Sequence, residues 1–160
     1  MRPRRPGAKL RGMKRVVIAY DGSEGSREAL EAGVELARAA GAVAMLVYVR
    51  HAPVPLVGDP FYERALSRAL HRGLAALDEA RAFAEASGVA VETTLLEGDP
   101  AEAILELARL RRADLVVVGC RDRGALAEAL LGSVSRAVVH GADRPVLVAK
   151  RRVRRGRRAA

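Results

Sequence analysis

Two segments of this chain hold residue types suited to binding a phosphorylated ligand. The first is Gly119-Cys120-Arg121-Asp122-Arg123-Gly124, followed after Ala125–Leu131 by Gly132-Ser133-Val134-Ser135. Glycines let an anion come close to the backbone. A helix starting after Gly132 turns unpaired N–H groups and the positive end of its dipole toward that anion. Ser133 and Ser135 offer hydroxyl donors, and Arg121 and Arg123 offer guanidinium charge for phosphate oxygens. The second segment, Asp21-Gly22-Ser23, ends an apolar run and supplies an acid. The glycines and serines are equally the residues that two turns and an N-cap at Ser133 require, so the loop's residues alone support both readings. No nucleophile–base pair is visible, so no catalytic residue is assigned and any nucleotide hydrolysis is expected to be slow.

The elements that position these segments read as alternating strands and helices. Val16–Tyr20, Val43–Val49, Val89–Leu95, Leu115–Val118 and Pro145–Ala149 are short apolar runs rich in β-branched residues, as in strands covered on both faces. Between them lie a helix to about Ala40 stopped by Gly41, and a long helix carrying Leu66, Leu70, Leu74 and Leu77, with Asp59-Pro60 as its cap. Asp99-Pro100-Ala101-Glu102 opens a third helix with a capping box. Val134, Val138 and Val139 mark the fourth. The expected fold is α/β: a single doubly wound five-stranded parallel sheet with helices on both faces. In such sheets ligands sit beyond the carboxyl ends of the strands where the strand order reverses. That brings the exits of the first and fourth strands together.

Composition narrows the classes further. Of 160 residues, 28 are Lys or Arg and 19 Asp or Glu, a net charge of +9. Residues 1–15 and 150–160 carry 14 of the basic groups and no acid, so residues 16–149 are mildly acidic. The expected organisation is a basic, disordered tail over 1–13, a folded domain over 14–150 and a second basic tail over 151–160. Such tails suit an anionic partner such as RNA, DNA or a membrane surface, and Met13 is an alternative start to Met1. With Tyr three, Phe two and Trp none, a base-stacking platform is disfavoured. The lone Cys120 excludes an internal disulfide and multi-cysteine metal motifs, and His51, His71 and His140 lack ligand spacing, so no metal site is assigned. No apolar run reaches transmembrane length, and the expected compartment is the cytoplasm.

The loop resembles that of the universal stress protein family, whose ATP-binding members carry Gly, two residues, Gly, nine residues, then Gly-Ser or Gly-Thr. The likeness extends to Val16–Ser23, Gly98–Ile104, Ala113–Gly119 and Arg144–Val148, and so covers about residues 14–150. It implies a Rossmann-like, adenine nucleotide alpha hydrolase-like fold. It also implies a regulatory protein of the stress response that binds ATP or AMP, with Mg²⁺ on the triphosphate. By the resemblance Asp21 holds the nucleoside end and the backbone of Val49 lies beside the adenine. Gly119, Gly132, Ser133, Val134 and Ser135 match phosphate-cradling positions, and homodimers form through the last strand, Val146–Val148. One position departs from the pattern. Asp122 stands where the middle glycine belongs, and its charge repels phosphate unless Arg121, Arg123 or Mg²⁺ offsets it. That departure keeps open a different role: the family also has members that do not bind ATP, which would act as interaction modules.

Overall fold

The computed structural model describes residues 12–51, 61–120 and 131–150. Along the chain run β1 (Arg15–Ala19), α1 (Glu24–Ala40), β2 (Val43–Arg50), α2 (Tyr62–Ala86) and β3 (Val91–Glu97). After these come α3 (Pro100–Leu110), β4 (Leu115–Gly119), α4 (Ser133–Gly141) and β5 (Val146–Ala149). The strands form one sheet in the order β3-β2-β1-β4-β5, and every pairing is parallel. This is the doubly wound five-stranded architecture expected. The order reverses beside β1, between the β1–β2 and β1–β4 pairings, which is where a crevice opens.

The alternation of side chains across the pleat divides the core in two. Val16, Ile18, Leu46 and Val117 face α1 and α2, and Leu30, Val34, Leu77, Ala80 and Ala84 pack against them. Val17, Met45, Val47, Val116 and Val118 face the other way, toward Ile104, Leu105, Ala108 and Val138 of α3 and α4. Since both faces of β1, β2 and β4 are covered, these strands are apolar without interruption.

The helix ends follow local chemistry. Ser23 caps α1 by accepting from the Ser26 N–H, and Gly41 closes it in the left-handed region at φ 68°. Asp99 caps α3 by accepting from the Glu102 N–H at 3.0 Å, with Pro100 at the first helical position. Near the other end of α3, Arg144 donates from Nη1 to the carbonyls of Ala108 and Ala113. Its guanidinium hydrogen bond also holds the Asp143 carboxyl below the usual carboxylate range.

Beyond shifts of one or two residues at other strand ends, three details differ from the sequence reading. β3 begins at Val91 rather than Val89, because the Val89 N–H bonds to the Ala84 carbonyl and completes the end of α2. α2 begins at Tyr62 after Phe61; the Asp59-Pro60 cap lies outside the described residues. Leu74, read as part of the apolar face of α2, is half exposed, while Gly73, Leu77, Ala80 and Ala84 are buried. Each four-residue step drifts about 40° around a helix, so Leu66 and Leu70 stay within about 20° of Leu77 while Leu74 lies about 60° round from it and leaves the buried face. At Gly73 a Cβ would come within 2.7 Å of a Leu95 methyl, so the bare glycine sets how closely α2 rests on β2 and β3.

Candidate functional site

The carboxyl ends of β1, β2 and β4 surround a cleft of about 440 Å³, within the usual range for small-molecule sites. Asp21, Val49, Gly119, Gly132, Ser133, Val134 and Ser135 all line it. The eighth residue singled out from sequence, Asp122, lies outside the described residues, as do Arg121, Arg123 and Gly124.

The β1 exit is a tight turn. The exposed Asp21 accepts the Ser23 N–H at Oδ1 (2.9 Å), and its own N–H donates to Ser26 Oγ (3.3 Å). The acid is therefore held at the rim of the cleft by the same turn that caps α1. Tyr20 belongs to the core: it is buried among α1 and α2 residues, and its hydroxyl donates to Glu79 Oε1 at 3.0 Å. Burial pushes its phenol up, the Arg27 hydrogen bond opposes that, and Glu79 reinforces it.

The β4 exit is set by contact between two backbones. A Cβ at Gly119 would lie 2.1 Å from the Gly25 carbonyl oxygen, and one at Gly25 would lie 2.3 Å from the Cys120 oxygen. The sequence reading assigned the bare Gly119 backbone to an approaching anion. The backbone of the first turn of α1 also approaches it there, and Gly119 lines the cleft as well. Cys120 is buried beside this junction and donates its N–H to the Ala149 carbonyl, as a small packing residue does.

α4 differs from α1 and α3 at its start. Its N-cap is Gly132, not Ser133, and among the described residues no side chain caps its first turn. Gly132 has φ −61° and ψ 165°, ordinary extended backbone, so conformation does not demand a glycine there. The buried Ser135 hydroxyl donates back to the Gly132 carbonyl at 3.1 Å and so takes none of the amide donors. The opening turn of a helix leaves N–H groups without intrahelical partners, and here they border the cleft with the positive end of the dipole behind them. This arrangement accepts an anion.

The cleft also contains residues that the sequence reading passed over, chiefly Arg50, His51 and Arg72. Arg50 ends β2 directly opposite Glu97 in β3, and the two form an ion pair. A cation at the end of one apolar strand, with an acid at the end of its neighbour, was the available signal. It becomes readable only once the β2–β3 register is known.

The sequence pattern of the Universal stress protein family matches residues 12–150. The chain belongs to the universal stress protein family. A universal stress protein of Thermus aquaticus is 42% identical over 139 residues, covering 86% of this chain and 98% of its own. Among solved structures, a universal stress protein in complex with cAMP is 28% identical with a TM-score of 0.65, over 86% of this chain and 97% of the other. A universal stress protein family protein of Arabidopsis thaliana with AMP bound is 25% identical with a TM-score of 0.66, over 88% and 93%. The universal stress proteins similar to this chain thus include nucleotide complexes. Among the described residues, no helix is long and apolar enough to cross a membrane, and no three His, Cys, Asp or Glu cluster as a metal site.

Proposed function

We propose that this chain is a cytoplasmic regulatory protein of the stress response, which binds AMP or ATP in the cleft between β1 and β4 and changes its interactions with occupancy. The observation that carries this reading is the start of α4, whose N-cap Gly132 offers no side-chain acceptor, in one cleft with Asp21 and Val49. In that arrangement the phosphate lies on the amides that follow Gly132, with Ser133 and Val134 alongside. The ribose lies at Asp21 and the base lies beside Val49. The volume and the donor set fit an adenine nucleotide, and the complexes of the two relatives with cAMP and AMP support the ligand class. Mg²⁺, where ATP is bound, arrives on the triphosphate. Isothermal titration of the purified chain with AMP and with Mg-ATP is expected to show one site per chain at micromolar concentrations. Absence of heat with both nucleotides, and none retained through purification, would overturn the reading.

The same proposal includes a homodimer. β5 is an edge strand, its residues Val146–Val148 are incompletely buried, and an apolar edge offers unpaired backbone groups to a second copy. Light scattering at micromolar concentration is expected to give twice the mass of one chain; a monomer mass would sink this part.

A further inference from the structure

The charges of α2 run against its dipole. Its first half carries Arg64, Arg68 and Arg72 with Glu63 as the lone acid, and its second half carries Asp78, Glu79 and Glu85 with Arg81. A helix gains from acids at its start and bases at its end, so this distribution costs stability in the absence of a partner. Two of the three acids of the second half are engaged: Glu79 with Tyr20 and Arg27, Glu85 with Arg81. Arg72 has no carboxylate within ion-pair distance among the described residues, and its Nε donates only to the Arg68 carbonyl at 3.4 Å. It lines the cleft.

Arg50 also lies in the cleft wall, with its side chain 14% exposed. Glu97 pairs with Nη2, yet Nη1 is buried and has no acceptor, the one such side-chain atom among the described residues. A buried guanidinium N–H left unpaired is unfavourable, and native structures rarely keep one without a reason. The cleft wall thus holds one guanidinium with a single carboxylate partner and an orphaned N–H, and a second guanidinium with no carboxylate partner among the described residues. A phosphoryl oxygen supplies what both lack: negative charge and several acceptor lone pairs in the geometry that guanidinium prefers.

We propose that this end of the cleft is a second anion subsite, formed by Arg50 and Arg72, for a phosphoryl group on the ribose of the bound nucleotide. The inference rests on the nucleotide reading above. β2 and β4 flank β1, so the β2 exit and the β4 exit stand about 10 Å apart. The first phosphate occupies the α4 end and the ribose lies over the β1 exit between them. A second anion that reaches Arg50 and Arg72 then belongs on the 2′ or 3′ oxygen of that ribose. Asp21 stands on the same rim and opposes it, which limits the gain and makes both guanidiniums necessary.

Titration of the full chain at low salt with AMP, adenosine 2′,5′-bisphosphate and adenosine 3′,5′-bisphosphate tests this. One of the bisphosphates is expected to bind at least about tenfold more tightly than AMP, the scale of one charge-assisted contact. Arg72→Gln, an exposed change that leaves the basic tails in place, is expected to remove that advantage and to leave AMP affinity within about twofold. Binding of AMP with no bisphosphate advantage overturns the subsite alone, as does an advantage that survives Arg72→Gln and so belongs to the tails. Failure of all three nucleotides to bind overturns the nucleotide reading and the subsite with it.

Discussion

Gly119→Ala is expected to destabilise the chain by at least about 3 kcal/mol, the upper part of the range for overpacking a tight interior, or roughly 10 °C in melting temperature for a chain of this length. The added methyl would lie 2.1 Å from the Gly25 oxygen and 2.3 Å from its carbonyl carbon. Both atoms are backbone at the start of α1, so no side-chain rotation relieves the contact. α1 must shift from β4, and with it the packing of Ala29 and Leu30 in the core shared by α1 and α2. Gly25→Ala presents the same collision from the other side, at 2.3 Å from the Cys120 oxygen, and is expected to match it. Thermal unfolding followed by circular dichroism measures both. A shift below about 3 °C, less than about 1 kcal/mol for this size, would mean that the two exits are not bound by this contact.

Gly132→Asp is expected to separate binding from stability. Aspartate is a good N-cap and glycine only a fair one, and an acid at a helix start gains from the dipole, so α4 is stabilised by about 0.5–1 kcal/mol. The same carboxylate occupies the amide donors proposed for phosphate and repels it. Two like charges about 4 Å apart at a partly solvated site interact by roughly 4 kcal/mol, so AMP affinity is expected to fall at least about thirtyfold even after solvent screening. Calorimetry and a melting curve on the same sample give both readouts. Affinity held within about threefold would show that Gly132 merely opens a helix and that phosphate lies elsewhere.

The strands were legible in the sequence because β1, β2 and β4 are covered on both faces and read as unbroken apolar runs. β3 was displaced because Val89 is buried by the end of α2 and not by the sheet, and an apolar pattern does not separate those two causes. Of the candidate site, the turn at Asp21 and the helix start at Gly132 follow from local rules for caps and strand exits. What the sequence concealed depends on register and on docking between distant elements. Arg50 acquires its meaning from Glu97, 47 positions away, through the β2–β3 pairing. Arg72 acquires its own from the packing of α2 at Gly73, which sets that helix over Tyr48 and Leu95. The role of Gly25 had no local signal, because its partner is β4.

The contact between Gly25 and Gly119 bears on how the loop serves as a signature. A glycine at the end of β4 is required by the way α1 sits against the sheet, so a relative that had lost its ligand would still keep it. Position 132 has ordinary extended backbone and no such constraint from its conformation. The two glycines at either end of one motif therefore testify to different things. Gly119 reports that the fold is intact, and a small uncharged residue at 132 reports that the start of α4 is still open to a phosphate.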